Sequence, residues 1–305
     1  MRIAALDIGG TAVKFCLYDS RCGFVKEDVR ETPTNAELGG KAVLEQAMNL
    51  AAGLKCFDAI AVSTAGQVNP ETGAIIYATD NIPGYTGIQL KRELETRFCV
   101  PAFVENDVNA AALGEAAAGA GREYASFLCL TYGTGIGGAI ILNREVYRGN
   151  SFSAGEMGHM ITHAGGLPCT CGNRGCYEQY ASSSALIRSV REQTGRSLNG
   201  REIFKLLKSD SRIERAVSAW IDEILYGLVS LIYIFNPPAV ILGGGIMNED
   251  FLCDSVRQRI GGLLMPSFRG VEILKASLGN TAGLQGAIWL AERSLKERGC
   301  ADHAV

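Results

Sequence analysis

Three cysteines and an upstream histidine are the residues of this chain whose types and spacing most clearly indicate chemistry: Cys169, Cys171, Cys176 and His159. Three thiols and one imidazole this close together are the ligand set of a closed, four-coordinate zinc site. From the sequence alone, His163 is a competing imidazole ligand. Because four protein ligands leave no position for a catalytic water, the sequence predicts a structural zinc ion rather than a hydrolytic one.

Two carboxylates, Glu156 and Glu178, lie in the same segment. A carboxylate can accept hydrogen bonds from one or two hydroxyl groups, which is what a sugar site requires. A metal that fixes a loop bearing two such acids therefore indicates a binding pocket. A purely structural zinc knuckle stays open as the alternative.

Glycine-rich turns indicate phosphate binding. In Asp7-x-Gly9-Gly10-Thr11 an acid precedes a turn without side-chain bulk, so backbone N–H groups could reach phosphate oxygens and the acid could hold Mg²⁺ through water. An ordinary hairpin is the alternative. The run 133–138 is not a Walker loop, because it lacks Gly-Lys-Ser/Thr, and it is not a dinucleotide fingerprint, because a strand and not a helix follows it. The run 243–245 fits either a contact with adenine or ribose or the start of a helix.

The triplet Glu105-Asn106-Asp107 stands where a predicted strand gives way to a helix. Asn and Asp are common helix N-caps, because their side chains accept hydrogen bonds from free N–H groups. The positive end of the helix also favours an ionised carboxylate, which could take a proton from a substrate hydroxyl. The position alone leaves both interpretations open.

The elements that must position these residues alternate between strands and helices. Apolar patterns predict strands at 2–8, 12–18, 59–62, 101–104, 126–131, 139–142 and 239–242, and helices at 41–54, 88–98, 107–120, 211–236 and 281–298. A strand–glycine turn–strand unit occurs twice, which predicts a duplicated α/β fold. We expect a smaller N-terminal lobe of residues 1–115 and about 284–305. A larger C-terminal lobe, residues 116–283, would carry the zinc site.

Composition limits the class of protein. The 305 residues include 29 Lys and Arg against 32 Asp and Glu, so no basic surplus favours nucleic acid. The apolar stretch at the N-terminus is too short for a signal peptide. We also expect no window that approaches the ~18 apolar residues of a membrane helix. The sequence therefore predicts a cytoplasmic protein without a membrane partner. Its cysteines would stay reduced, and those outside the zinc cluster would be packing residues.

In this order and spacing, the motifs resemble the ROK family of repressors and sugar kinases within the actin–hexokinase superfamily: Asp7-Ile8-Gly9-Gly10-Thr11, Glu105-Asn106-Asp107, the loop 133–138, Gly155-Glu156-Met157-Gly158-His159 and Cys169-x-Cys171-x4-Cys176-x-Glu178. The resemblance covers essentially the whole chain, and the cysteine element is its most specific part. It implies a two-lobed actin-like ATPase (ribonuclease H-like) fold with a duplicated β-sheet core and a cleft between the lobes. It also implies transfer of the γ-phosphoryl group of ATP to a sugar hydroxyl.

The resemblance further implies roles for individual residues, with Asp107 as the catalytic base. Sugar would be bound by Gly66, Gln67, Thr79, Asn81, Asn106, Asp107, Glu156, His159 and Glu178. ATP and Mg²⁺ would be bound by Asp7, Gly9, Gly10, Thr11, Lys14, Gly133, Thr134, Gly135, Gly137, Gly244 and Gly245. Zinc would be bound by His159, Cys169, Cys171 and Cys176, which favours His159 over His163. Ala12 and Ala139 depart from the Lys and Gly that are common in the family.

Two stretches point to different sugars. Residues 63–70 are similar to N-acetylmannosamine kinases, although Gln67 stands where Arg is common; residues 81–85 are similar to family glucokinases, with Tyr85 in place of Trp. We expect a glucokinase-like enzyme acting on the 6-hydroxyl of glucose, with N-acetylmannosamine, another hexose or a β-glucoside as alternatives.

A repressor is the main non-enzymatic alternative that the family offers. Repressors of this family carry a helix-turn-helix domain before the first strand, and here that strand begins at residue 2. A sugar sensor without a DNA-binding domain therefore remains as the second class of function. By analogy with the family, a dimer or tetramer is expected.

Overall fold

The computed structural model describes the backbone of residues 1–301 and the side chains of residues 1–297; the side chain of Cys300 and residues 302–305 lie outside this description. The chain forms two compact units. Unit 1 comprises Met1–Arg122, Arg144–Ala154 and the chain from Asn280, and unit 2 comprises Glu123–Asn143 and Gly155–Gly279. This division differs from the sequence-based one chiefly in segment Arg144–Ala154, which belongs to unit 1.

The elements are as follows. The strands are β1 (Arg2–Ile8), β2 (Ala12–Asp19), β3 (Arg30–Pro33), β4 (Ala59–Thr64), β5 (Gln67–Asn69), β6 (Ala74–Tyr77), β7 (Ala102–Asn106), β8 (Phe127–Tyr132), β9 (Ile136–Leu142), β10 (Glu145–Val146), β11 (Ala239–Gly243) and β12 (Glu272–Lys275). The α-helices are α1 (Gly40–Leu54), α2 (Leu90–Phe98), α3 (Asp107–Ala118), α4 (Glu178–Ala181), α5 (Ser183–Thr194), α6 (Gly200–Leu206), α7 (Ser211–Phe235), α8 (Asp250–Ile260) and α9 (Ala282–Ala301).

The sheet of unit 1 brings predicted site residues to one edge. Its strand order is β3-β2-β1-β4-β7, in which β1 pairs antiparallel with β2 and β4 pairs in parallel with both β1 and β7. Successive side chains of a strand face opposite sides. Leu6 accordingly packs in the core that includes α1 and α2, and Ala5 in the core that includes α9. The parallel register places Asp7 beside Ser63, and Ser63 beside Glu105.

Unit 2 repeats this arrangement. Strand β8 pairs antiparallel with β9 and parallel with β11, and β11 pairs in parallel with β12. Each unit therefore opens with a strand–glycine turn–strand hairpin to which parallel strands are added, and the predicted duplication is confirmed. The elements β3, β5, β6, β10, β12, α4, α5, α6 and α8 were not predicted. The five strands, α4 and α6 are too brief for a clear apolar period, whereas α5 and α8 are of ordinary length and were missed.

Helix α7 begins and ends where the sequence predicted within one residue. The side chain of Asp210 caps its start by accepting a hydrogen bond from Arg212 N, and Asn236 ends it in the left-handed region at φ 42°. The expectation that no segment resembles a membrane helix was wrong for α7. By length and composition alone, α7 is long and apolar enough to cross a membrane. Half of its most apolar window is buried, as in the core helix of a globular protein.

The prediction that the scattered cysteines are packing residues holds for some of them only. Cys16, Cys129 and Cys253 are buried. Cys22, Cys56 and Cys99 are exposed. The exposed ones stand in connections between elements, which run over the surface of a unit.

Gly244 is a position where the fold requires glycine. Its φ is +92°, and a Cβ there would lie 2.2 Å from the carbonyl oxygen of Tyr132, whereas a Cβ at Gly245 would meet open space. We expect Gly244→Ala to lower the free energy of unfolding by about 3 kcal/mol, because backbone strain and a backbone clash both oppose the methyl group. Gly245→Ala, the matched control, should change it by less than about 0.5 kcal/mol. Denaturant titration measures both, and equal losses would contradict this account.

Candidate active site

Asp7 lies at the carboxyl end of β1 in a polar cluster of unit 1. Its Oδ1 accepts a hydrogen bond from Ser63 Oγ at 2.7 Å, and the Lys14 Nζ lies 3.7 Å from its Oδ2. A Cβ at Gly283 would come within 2.9 Å of Asp7 Oδ1, so glycine in α9 leaves room for the carboxylate. Burial raises the pKa of Asp7 above its usual value, although the Ser63 hydroxyl and the Lys14 ammonium oppose this.

The turn after β1 presents backbone rather than side chains. Gly9 N donates to Ala12 O at 3.0 Å, and Gly9 O accepts from Thr34 Oγ1 at 2.6 Å. Gly10 and Thr11 are exposed at its tip. The turn is therefore a closed hairpin whose tip is accessible, as both sequence interpretations require.

Asn106 and Asp107 divide the two roles that the sequence left open. Asn106 is the N-cap of α3, and its Oδ1 accepts hydrogen bonds from Val108 N and Asn109 N, each at 3.0 Å. Asp107 is the first residue of the helix. Its Oδ1 accepts from Asn106 Nδ2 and from Val108 N, each at 2.9 Å, while its Oδ2 accepts neither bond. The carboxylate is thus oriented without being needed as the cap.

The electrostatic surroundings of Asp107 suit a base. Burial, and secondly the negative charge of Asp7, raise the pKa of Asp107 from its usual 3.8 to about 7. Hydrogen bonds from Val108 N and the Asn106 side chain oppose part of this shift. A general base is most effective when its pKa lies near the operating pH, which describes Asp107.

The turn that follows β4 is bonded to the Asn106 cap. Gly66 has φ +93°, and its carbonyl oxygen accepts a hydrogen bond from Asn106 Nδ2 at 2.9 Å. Gln67 Oε1 accepts from Ser153 Oγ at 2.8 Å. The predicted sugar residues Gly66, Gln67 and Asn106 are therefore held together within unit 1.

Residues 79–85 include two predicted sugar ligands, Thr79 and Asn81, and Tyr85, which stands where family glucokinases have Trp. Thr79 and Asn81 are exposed in the connection between β6 and α2, and neither is hydrogen-bonded to Asn106 or Asp107 in the part of the chain that the structure describes. Tyr85 is fully buried, and its hydroxyl lies 2.8 Å from Thr64 Oγ1. Tyr85 is thus a core residue beneath the end of β4, and the roles of Thr79 and Asn81 stay predictions.

The cysteine cluster of unit 2 brings four candidate metal ligands together. One ligand atom from each of His159, Cys169, Cys171 and Cys176 lies within 4.8 Å of the others. The Sγ atoms of Cys171 and Cys176 are 3.5 Å apart, and Cys169 Sγ is 3.6 Å from His159 Nδ1. Zn–S bonds of about 2.3 Å in a tetrahedron imply S–S separations of about 3.8 Å. The donor set and the separations therefore both fit zinc.

His163 lies elsewhere. Its ring stacks on Tyr180 with centroids 3.8 Å apart, and its Nε2 is 3.6 Å from Glu223 Oε1. The structure therefore brings His159, and not the competing His163, to the three thiols.

Glu178 joins the metal cluster to the second glycine loop. Its Oε1 lies 3.2 Å from Cys169 Sγ and 3.9 Å from His159 Nδ1, and its Oε2 accepts a hydrogen bond from Ile136 N at 3.4 Å. A Cβ at Gly135 would lie 2.6 Å from Glu178 Oε2, so this glycine is required for the approach. The loop 133–138 is therefore in contact with residues 155–178, here called the zinc segment, within unit 2.

Glu156 completes the group of acids. It is exposed, and its Oε2 lies 4.0 Å from Nε2 of His159. The two nitrogens of His159 thus face different neighbours, with Nδ1 toward Cys169 and Nε2 toward Glu156. Glu156, His159 and Glu178 are brought together as predicted from their spacing.

A cavity of about 450 Å³ adjoins the second glycine loop within unit 2. Ser183, Asn199, Phe204 and Gly245 are among its lining residues. The backbone N–H and the hydroxyl of Ser183 both donate to Gly133 O, which connects the cavity wall to the loop. Its volume is in the range of small-molecule sites. Gly244 lies beside it, packed against Tyr132.

Sequence reasoning missed three contributors. Ser63 and Ser183 hold Asp7 and the glycine loop, and Arg148 pairs with Glu105 at 2.6 Å. Single serines and arginines carry no sequence signal for such contacts. Of the three, only Ser63 belongs to a stretch that the sequence analysis singled out, residues 63–70, and it lies near the end of β4.

Comparison with known proteins places this geometry in a family. A model described as ROK family matches residues 3–294. The chain is 35% identical over 297 residues to a β-glucoside kinase of Listeria monocytogenes (95% of this chain, 97% of the relative). It is 32% identical over 313 residues to a glucokinase of Streptomyces coelicolor (94% and 96%).

Solved structures agree. A ROK family glucokinase from Streptomyces griseus, in complex with glucose and AMPPNP, superposes with a TM-score of 0.83 at 29% identity, covering 96% of this chain and 100% of that one. A Listeria monocytogenes protein proposed to be an N-acetylmannosamine kinase superposes at 0.85 with 33% identity, covering 96% and 100%. The predicted α/β actin-like fold class is confirmed by these matches.

Proposed function

The chain belongs to the ROK family, and we propose that it is an ATP-dependent sugar kinase that phosphorylates a hexose, with the 6-hydroxyl of glucose as the first candidate acceptor. The observation that carries the proposal is Asp107, an oriented carboxylate at a helix N-terminus whose pKa is raised to about 7. The same proposal includes a cytoplasmic location and a homo-oligomeric state. It includes a small-molecule sugar as the partner, and no nucleic acid or membrane partner.

In this mechanism Asp107 accepts the proton of the attacking sugar hydroxyl as that oxygen bonds to the γ-phosphorus of ATP. The bond from the γ-phosphorus to the β,γ-bridging oxygen breaks, and ADP leaves. Phosphoryl transfer needs little covalent work from the protein and depends on positioning and on neutralising charge. Asn106 contributes by orienting Asp107 through its side-chain amide, at 2.9 Å, while capping α3. Its bond to Gly66 O holds the turn that we assign, with Gln67, to the sugar.

The groups assigned to ATP lie on the two glycine loops. We place the phosphates at the Gly9–Thr11 turn of unit 1 and at residues 133–137 of unit 2, and the adenine in the cavity lined by Phe204 and Gly245. Apolar walls with a few polar groups suit a base of this kind. Asp7 has the oxygen donors that Mg²⁺ prefers, and Mg²⁺ when bound would neutralise phosphate charge.

In unit 2, the groups assigned to sugar hydroxyls are Glu156, His159 and Glu178. If Nδ1 of His159 binds zinc beside Cys169, its Nε2 stays available to a hydroxyl on the Glu156 side. Zinc has a structural role in this scheme, because its four ligands are all protein atoms. It would hold the segment that carries these three side chains.

The raised pKa of Asp107 makes a prediction about pH. Only the ionised carboxylate can accept a proton, so activity requires a pH above the pKa. We expect kcat/KM to rise about tenfold per pH unit below pH 7 and to level off above it, because the pKa lies at about 7 instead of 3.8. A pH–rate profile from pH 5 to 9 measures this, and a flat profile down to pH 5 would contradict the assignment.

The acceptor is identified by coupled ADP release with Mg-ATP over a panel of sugars: glucose, mannose, fructose, allose, N-acetylglucosamine, N-acetylmannosamine and a β-glucoside. We expect glucose to exceed the others at least tenfold in kcat/KM, about 1.4 kcal/mol in the transition state. A preference for N-acetylmannosamine or a β-glucoside would support the kinase proposal but change the assigned substrate to one named for a relative. Release of ADP without any sugar would contradict a sugar kinase.

The second candidate is a sugar sensor that binds without turnover. Its supporting observation is that Glu156, His159 and Glu178 could hold hydroxyl groups whether or not chemistry follows. Sugar binding by calorimetry, with no ADP release on any member of the panel, would favour it over the kinase.

A further inference from the structure

The segment Arg144–Ala154, here called the strap, contacts the catalytic triplet through a buried ion pair. Nε and Nη2 of Arg148 both donate to Glu105 Oε2, at 3.0 and 2.6 Å. The side chain of Glu105 is 1% exposed and that of Arg148 22%. Because an unpaired buried carboxylate would strongly destabilise the fold, we expect Glu105 and Arg148 to stay paired and each to hold the other in place.

The other oxygen of Glu105 is bonded to the start of α3. Glu105 Oε1 accepts hydrogen bonds from Asn106 N at 2.9 Å and from Asn109 Nδ2 at 3.1 Å. Glu105 therefore holds the backbone of the residue that caps the helix and orients Asp107. A shift of the Glu105 carboxylate would move the backbone of Asn106. The side-chain amide of Asn106, which donates to Asp107 Oδ1, would move with it.

The far end of the strap is bonded to the turn after β4. Ser153 Oγ donates to Gln67 Oε1 at 2.8 Å, and Ala154 N donates to Arg148 O at 3.0 Å, which closes the strap into a loop. Arg148 thus lies at the base of a loop that connects the Asp107 segment to the Gln67 turn. Glu145, at the start of the strap, pairs with Arg293 of α9, and both of these side chains are more exposed than those of Arg148 and Glu105.

We propose that Arg148 is a positioning residue for phosphoryl transfer, which acts through Glu105 to hold Asn106 and Asp107 in their reactive arrangement. The inference rests on the proposed kinase function and deepens it. Two donors of a planar guanidinium bind one carboxylate oxygen with defined geometry, which a lysine ammonium does not reproduce. Misplacement of a catalytic group by about 1 Å can cost 10²-fold in rate, so the pair has leverage without touching substrate.

The test uses three variants of the full chain: Arg148→Met, Arg148→Lys and, as the matched control, Arg293→Met. We expect Arg148→Met to lower kcat about 100-fold with the KM for ATP within about twofold of wild type. Arg148→Lys should keep Tm within about 2 °C of wild type, since the charge remains, and still lose about tenfold in kcat. Arg293→Met, which removes an exposed pair of the same strap, should keep the wild-type kcat.

The Lys variant decides between positioning and mere stabilisation. If Arg148→Lys has both the Tm and the kcat of wild type, or if a folded Arg148→Met turns over normally, the positioning role is overturned. If Arg148→Met does not fold, the Tm and kcat of Arg148→Lys alone decide. Wild-type protein without turnover on any sugar would refute the kinase proposal itself, and this inference with it.

Discussion

Asp107→Asn is expected to lower kcat about 1,000-fold, the middle of the range for loss of a general acid or base. The amide oxygen of Asn can still accept the hydrogen bonds from Asn106 Nδ2 and Val108 N, so the local geometry should persist. The amide cannot take up the proton of a sugar hydroxyl. Because Asn106 and not Asp107 caps α3, the helix start should also survive the substitution.

The loss should fall on kcat and not on sugar affinity. Calorimetry should give a sugar Kd for Asp107→Asn within about threefold of wild type, and residual turnover should lack the rise near pH 7. Asp58→Asn is a matched control, because Asp58 also accepts a backbone bond, from Arg2 N at 2.7 Å, at the opposite end of β1. Sugar-dependent turnover near the wild-type rate in Asp107→Asn would exclude this residue as the base.

Local features of the site were predictable because each rests on neighbouring residues. The Asn106 cap, the two glycine turns and the cysteine cluster are all encoded within short runs, and the β1–β2 and β8–β9 hairpins follow from apolar alternation. The choice between His159 and His163 came from resemblance to a family. The structure gives the physical reason for this choice, because the His163 ring stacks on Tyr180 and its Nε2 lies beside Glu223 Oε1.

What the sequence could not supply are contacts between distant segments. Arg148 meets Glu105 across 43 positions, and Ser153 meets Gln67 across 86. No periodicity marks such pairs, because they depend on the return of the strap to unit 1. The burial of Tyr85 is another such fact: its motif indicated a likeness to glucokinases, and only the packing of the fold shows that its ring lies in the core.

Removal of zinc is expected to weaken sugar binding far more than ATP binding. Loss of a group that orients a site typically costs 10- to 100-fold, so the sugar KM should rise at least about tenfold on chelation. Three of the side chains assigned to sugar, Glu156, His159 and Glu178, lie in the zinc segment, and Glu178 Oε1 is 3.2 Å from Cys169 Sγ. The cavity assigned to adenine is lined by residues of α5, α6 and the turn at Gly245, none of which ligates the metal. The Kd for ATP should therefore stay within about threefold.

Cys171→Ser and Cys22→Ser separate this effect from the general loss of a thiol. Both cysteines are exposed, but only Cys171 belongs to the cluster. Cys171→Ser should reproduce chelation, with less than one zinc per chain by metal analysis, while Cys22→Ser should retain zinc and the wild-type sugar KM. Since Glu178 also accepts from Ile136 N in the glycine loop, a small loss of ATP affinity fits the structure. Equal loss of both affinities together with a collapsed circular dichroism spectrum would instead make the metal a determinant of the whole fold of unit 2.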